Sequence, residues 1–346
     1  MFAAETKAAT VSATPAPQPL VAWTQIVEPL GPFLEAVAAR LTRQVKDFDP
    51  SLTAYAEYAL NGHGKQLRSS LVGLSGWATG GIHDAHVVVA VIIEMVHLAT
   101  LVHDDVMDEA DMRRGRLTLA ANWGNDIAVL FGDCLFAHAL KLAAGFPTPE
   151  VCRAVAMATK TVCSGEILQN QQCHNFQLSQ HDYFKVLEMK TAELFALSCD
   201  LGAFLNDAPP AQRSALRRFG MALGTAYQIY DDCLDLFGSE AAAGKSLGTD
   251  LAKGKLTLPV LLFWERADAA ERARVEGLVR QWQPDSVLEV VELLNRRDAL
   301  PDALEVFQHY LDMARDALGP VPESRERLFG LTNYLARQAE ALRGAA

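Results

Sequence analysis

Residues 84–108 read DAHVVVAVIIEMVHLATLVHDDVMD. Apolar side chains dominate as far as Val102, over a span too long for a strand. The segment predicts one long helix, from about Asp84 to Asp108, ending in Asp104, Asp105 and Asp108. At about 100° per residue, His97, Asp104 and Asp108 share a face, with Asp105 beside them. The same Asp-Asp-x-x-Asp pattern recurs at Asp231, Asp232 and Asp235. It ends a second helix that starts near Ala211, with Gln228, Asp231 and Asp235 along one stripe. Carboxylates at a helix C-terminus oppose the helix dipole, at a cost of about 0.3–1 kcal/mol each. Unpaired, they are also costly to bury. A solvated helix end explains one such cluster; two call for a function. Hard, oxygen-seeking cations such as Mg²⁺ fit them. Each cluster leads into a cationic loop, with Arg113 and Arg114 after the first and Lys245, Lys253 and Lys255 after the second. Metal and cations together suggest a cage for a diphosphate.

Outward from these helices the chain reads as helix after helix. Pro and Gly fall at the breaks, including Pro50, Gly80-Gly81, Pro147, Pro209-Pro210, Gly238, Pro284, Pro301 and Pro320. No alternating strand pattern of useful length is found, and no linker separates two halves. The expected fold is all-α, a single domain over residues 23–346. Residues 1–22, rich in Ala, Thr and Pro, read as a flexible tail without the features of a signal peptide.

Of the 346 residues, 50% are hydrophobic, enough for an extensive core, and the formal charge is -11. That charge argues against nucleic-acid or anionic-membrane binding, so an anion needs a local cationic cluster. The six cysteines form no Cys-x-x-Cys pair and read as reduced core thiols of a cytoplasmic protein. No apolar run is expected to reach the ~20 residues of a membrane span; Val87 to Val102 comes nearest, interrupted by Glu94 and His97.

The ordered set of motifs resembles the trans-prenyltransferase family, the polyprenyl diphosphate synthases. Gly64-Lys65-Gln66-Leu67-Arg68 is similar to the family's Gly-Lys-x-x-Arg. Residues 94–115 (EMVHLATLVHDDVMDEADMRRG) and 224–238 (GTAYQIYDDCLDLFG) resemble its two Asp-rich regions. Between them lie Gly132-Asp133, Gly165-Glu166 with Gln169, and Lys190-Thr191-Ala192. Residues 244–259 (GKSLGTDLAKGKLTLP) resemble the following lysine loop, and Tyr334 with Arg337 a C-terminal Tyr-x-x-Arg. Ser69 and Leu117 stand where the family usually has proline.

The resemblance implies a large helical bundle around a central cavity, and head-to-tail condensation of isopentenyl diphosphate with an allylic diphosphate such as farnesyl diphosphate. It implies Mg²⁺, about three ions per site, acting as Lewis acid and template. Asp104, Asp108 and Asp231 are expected as direct ligands. Asp105, Asp232 and Asp235 are expected as ligands or as groups holding metal-bound water. Arg113, Lys190, Lys245 and Lys255 would clamp the departing diphosphate. Lys65, Arg68, His97 and Arg114 would hold isopentenyl diphosphate, and Thr191 and Gln228 would face the allylic carbon. A homodimer is implied by resemblance alone.

In this family, bulky residues just upstream of the first cluster stop elongation. Here Ala99 and Thr100 are small. The helix from Val87 to Asp104 rises ~26 Å, room for about five or more isoprene units. The expected product has six or more units, unless Phe131, Phe136 or Leu140 forms a floor. The alternatives are a short-chain farnesyl or geranylgeranyl diphosphate synthase, a class I terpene cyclase and a non-catalytic partner subunit. A cyclase would need neither Gly-Lys-x-x-Arg nor a second Asp-Asp-x-x-Asp. A di-iron bundle would need two Glu-x-x-His motifs, and only Glu94-x-x-His97 is found.

Overall fold

The long apolar segment forms one helix, Asp84–Met107, with Asp108 as its C-cap. The computed structural model describes residues 23–60, 66–113, 115–240, 246–321 and 325–345. In chain order the helices are α1 (Trp23–Val27), α2 (Gly31–Gln44), α3 (Thr53–Leu60), α4 (Leu67–Thr79), α5 (Asp84–Met107), α6 (Leu119–Trp123), α7 (Asn125–Ala144), α8 (Glu150–Gln171) and α9 (Gln180–Leu187). A five-residue π turn, Glu188–Ala192, leads into α10 (Glu193–Phe204) and α11 (Pro210–Phe237). Then come α12 (Thr249–Ala252), α13 (Leu258–Arg266), α14 (Ala269–Arg280), α15 (Ser286–Asn295), α16 (Ala299–Ala317) and α17 (Glu326–Ala345). A small antiparallel hairpin pairs Met112 with Leu117 and Arg113 with Arg116. The all-α expectation holds, and strands of two residues are too short to leave a periodic pattern.

The apolar spacing explains the packing. Helix α5 lies against α2, α4 and α7, and α10 against α4, α8 and α11, with α16 covering α11. Phe195, Phe219, Phe263 and Phe307 are fully buried in this core, each contributing about 1.5–3 kcal/mol. The start of α5 is pinned by His86. Its Nδ1 accepts from the His83 backbone N–H at 3.2 Å, so Nε2 carries the proton toward the Gly202 carbonyl at 3.0 Å. Burial pushes this imidazole down to about 4, so it stays neutral and the tautomer is set by its two partners.

Pro301 marks a break as expected: α15 ends at Asn295 and α16 starts at Ala299, with Pro301 in its first turn, where a missing N–H costs nothing. Two expectations need correction. Helices α5 and α7 are both long and apolar enough to cross a membrane. Isolated polar residues in α5 do not cancel its overall hydropathy, but most of its apolar length is buried inside the fold. The cysteines are all unpaired, yet only Cys199 and Cys233 are buried, and Cys163 on α8 is exposed.

Candidate active site

The C-terminal ends of α5 and α11 open onto one cavity of about 1590 Å³. Asp104, Asp105 and Asp108 line one wall, Asp231 and Asp232 the other. Burial pushes the Asp104 carboxyl up to about 6, with Glu166 and Asp108 adding to the rise and Lys190 opposing it. Burial also raises Asp105, although Arg113 opposes it by donating from Nε at 2.7 Å. Burial would raise Asp108 too, but two ammonium groups outweigh it and hold it below the usual range. These are Lys255 at 2.8 Å and Lys253 at 3.0 Å. Both come from the loop that follows the second cluster, so the two walls are already joined by charge.

The second wall is held by neutral donors. Tyr183, from α9, donates its hydroxyl to Asp232 Oδ2 at 2.5 Å, and the Gln228 amide donates to Oδ1 at 2.8 Å. Thr191 in turn donates to Gln228 Oε1 at 2.9 Å. The Gln228 amide is thus fixed with its nitrogen toward Asp232 and its oxygen toward Thr191. Burial and the Asp250 carboxylate raise Asp232 well above the ordinary range despite these two hydrogen bonds.

Lys190 and Thr191 ride on the π turn, a geometry frequent at functional sites. Helix α8 seats that turn at Gly165, where a Cβ would meet the Lys190 backbone nitrogen at 2.8 Å. The Lys190 ammonium pairs with Glu166, donates to the Gln169 side-chain oxygen at 2.8 Å, and lies 3.9 Å from Asp104. Across the cavity, Arg68 lies over the Phe195 ring, 5.0 Å from its centroid, and His97 also lines the wall. Ser69, standing where proline was expected, donates its hydroxyl to Glu94 at 2.7 Å and its backbone N–H at 3.2 Å. It ties the start of α4 to α5, which a proline could not do.

Most residues singled out from sequence therefore meet in one place: Arg68, His97, Thr100, Asp104, Asp105, Asp108, Arg113, Lys190, Thr191, Gln228, Asp231, Asp232 and Lys255 all line the cavity. Lys65, Arg114 and Lys245 lie outside the described residues. Two residues are placed elsewhere. Asp235 is turned away from the cavity into the following loop, accepting from Thr249 Oγ1 at 2.7 Å and from the Asp250 N–H at 3.2 Å. This geometry uses Asp235 to hold α12 in place. Ala99 is fully buried and does not reach the cavity. Five residues before Asp104, it is rotated by about 140° from that stripe, whereas Thr100 is rotated by about 40°. Tyr183 and Asp250 belong to the site and carry no motif signal that singles them out, although the lysine-loop resemblance brackets Asp250; Lys253, read as a loop cation, joins the site through Asp108.

The donors suit a hard divalent cation. The acids facing the cavity offer oxygen only, and burial opposes the ionisation of Asp104, which a bound cation would favour. Among the described residues, no three acidic, histidine or cysteine side chains converge tightly enough to hold an ion alone. Mg²⁺ commonly takes one or two carboxylates and completes its shell with water and substrate phosphate. Asp104, Asp108 and Asp231 fit that partial role.

The chain is similar to known proteins over most of its length. The polyprenyl synthetase family profile matches residues 49–295. The chain is 33% identical over 309 residues to heptaprenyl diphosphate synthase component 2 of Bacillus subtilis, covering 88% of each chain. It is 32% identical over 308 residues to octaprenyl diphosphate synthase of Haemophilus influenzae, covering 89% of this chain and 94% of that one. The fold superposes on a polyprenyl synthase from Caulobacter crescentus, complexed with calcium and isoprenyl diphosphate, with a TM-score of 0.86. Identity there is 32%, with 92% of this chain and 98% of that chain covered.

Proposed function

The chain belongs to the polyprenyl synthetase family of trans-prenyltransferases, and we propose that it condenses isopentenyl diphosphate head-to-tail with an allylic diphosphate, using Mg²⁺, to make an all-trans product of six or more isoprene units. The observation that carries this reading is the pair of Asp-rich helix ends facing one cavity, with the cationic loop of the second reaching Asp108 of the first. Asp104, Asp108 and Asp231 would hold the metal. When bound, Mg²⁺ supplies Lewis-acid neutralisation of the departing diphosphate.

The chain's own groups do the rest. Lys190, Lys255 and Arg113 meet the charge that develops on the allylic diphosphate oxygen as the C–O bond breaks and its electron pair leaves. The lone pairs of Thr191 and Gln228 face the allylic carbon, their orientation set by Asp232 and Tyr183. Arg68 and His97, with Lys65 and Arg114, hold the second diphosphate and place its double bond against that carbon. The alkene electron pair forms the new C–C bond. The proton then lost, which the released diphosphate can accept, leaves a new allylic double bond. The test is incubation with farnesyl diphosphate, labelled isopentenyl diphosphate and Mg²⁺, followed by chromatography. Label in products of six or more units is expected; no incorporation with any allylic primer would overturn the reading.

The heptaprenyl and octaprenyl products named for the relatives support a long chain. Because Thr100 lines the cavity and Ala99 does not, Thr100→Tyr is expected to shorten the product. Ala99→Tyr is expected to overpack the core, at about 1–3 kcal/mol or more. Product length and thermal midpoints of the two variants check this assignment.

We also place the protein in the cytoplasm as a homodimer. Its unpaired cysteines suit a reducing compartment. Leu130 on α7 and Met157 on α8 are about 60% exposed, apolar side chains of the kind a second copy covers. Sedimentation should give a dimer that Leu130→Glu with Met157→Glu dissociates; a wild-type monomer would refute it.

A further inference from the structure

We propose that His174 is a positioning residue for the cations that meet the allylic diphosphate: its imidazole, packed on Gly254, fixes where Lys253 and Lys255 enter the cavity. The proposal rests on the elongation reading above. The two lysines flank the C-terminal end of α12. Gly254 donates its N–H to the Leu251 carbonyl and Lys255 to the Asp250 carbonyl, both at 2.9 Å. This is the Schellman arrangement, with Gly254 in the left-handed region at φ +70°. Lys253 and Lys255 therefore stand on either side of one glycine. Their ammonium groups grip opposite oxygens of Asp108, Oδ2 and Oδ1. A helix of four residues cannot hold such a turn by itself. Asp235 ties its start, through Thr249 and the Asp250 N–H. His174 ties its end.

His174 lies in the turn between α8 and α9. Its N–H donates to the Gly254 carbonyl at 2.7 Å. Its ring covers the glycine so closely that a Cβ there would meet three imidazole atoms at 2.5 Å. His174 is itself left-handed, at φ +57°, a conformation that glycine adopts freely and other residues seldom. The backbone alone would favour glycine at 174; what the imidazole adds is its packing on Gly254. Helix α8 thereby becomes a common strut. Its Glu166 and Gln169 hold Lys190, and the residue three past its end holds the turn of Lys253 and Lys255. The spacing of these three ammonium groups around the departing diphosphate then depends on His174. A misplacement of about 1 Å can cost about 10²-fold in rate.

His174→Gly and His174→Asn keep the N–H and suit the left-handed backbone, so they remove the ring alone. Calorimetry with inorganic pyrophosphate and Mg²⁺ is expected to show about 10-fold weaker binding for both. In elongation assays kcat is expected to fall about 10–100-fold, with the KM for isopentenyl diphosphate unchanged, because Arg68 and His97 lie on other walls. In a Lys255→Met background the same substitutions are expected to cost about 3-fold or less in pyrophosphate affinity, since coupled residues are not additive. The asparagine variant carries the test if glycine destabilises the fold. Unchanged pyrophosphate affinity, equal losses in both backgrounds, or a KM for isopentenyl diphosphate that rises in step would overturn the assignment. A wild type that shows this coupling yet incorporates no label would overturn the elongation reading and still support the placing of the lysines by His174.

Discussion

Asp104→Asn is expected to slow elongation on the order of 10³-fold while making the metal-free protein more stable. Both effects follow from the surroundings of this carboxyl, which are buried, flanked by Asp108 and Glu166, and only partly offset by Lys190. A carboxyl raised from 3.8 to about 6 carries a penalty of roughly 3 kcal/mol once ionised. The folded chain binds that proton more tightly than the unfolded chain, so ionisation favours unfolding. The penalty is absent below about pH 4, grows up to about pH 6 and is complete above that. Asparagine removes it and removes a metal ligand as well. Thermal midpoints at neutral pH, measured with chelator and beside turnover, check the pair of effects. A variant that is both slow and less stable would mean that Asp104 serves the fold.

Lys190→Met is expected to lose activity by about 10²–10³-fold and, in contrast, to lose stability. The ammonium is paired with Glu166 and lies 3.9 Å from Asp104. Removing it leaves two buried carboxylates without their cation, and breaking a buried pair costs about 3–5 kcal/mol. Lys190→Arg keeps the charge and should recover much of the stability. It should recover less of the activity, because the π turn aims one compact ammonium group into the cavity. Equal stability of the methionine variant and wild type would show that the pair contributes nothing to the fold.

The two signs separate what was legible in the sequence from what was not. The Asp-rich helix ends stood out because ionised groups at the ends of apolar helices have no structural reason to be there. Helical phase then gave the shared face of His97, Asp104 and Asp108. Phase also identifies Thr100 as the wall residue and turns Ala99 away, but only relative to a cavity whose position depends on α7, α8 and α10. Asp235 shares the motif of Asp231 and its stripe, yet Thr249 and the Asp250 N–H claim its carboxylate. That distinction depends on the path of the loop after α11. Tyr183 lies 49 residues from the Asp232 it holds, and Ser69 lies 25 from Glu94. Neither pairing has a local signature.

In the proposed reaction the metal and both aspartate walls serve one diphosphate, and organic cations the other. Calorimetric titration with a non-reactive allylic diphosphate analogue and, separately, with isopentenyl diphosphate tests that division, with Mg²⁺ and after chelation. The analogue is expected to need Mg²⁺ and to bind at least ~10-fold more weakly to Asp104→Asn and Asp231→Asn, a loss of about 1.4 kcal/mol or more. Isopentenyl diphosphate is expected to bind with similar affinity in each case. An analogue that binds equally well after chelation, or isopentenyl diphosphate binding that is lost with the aspartates, would contradict the account.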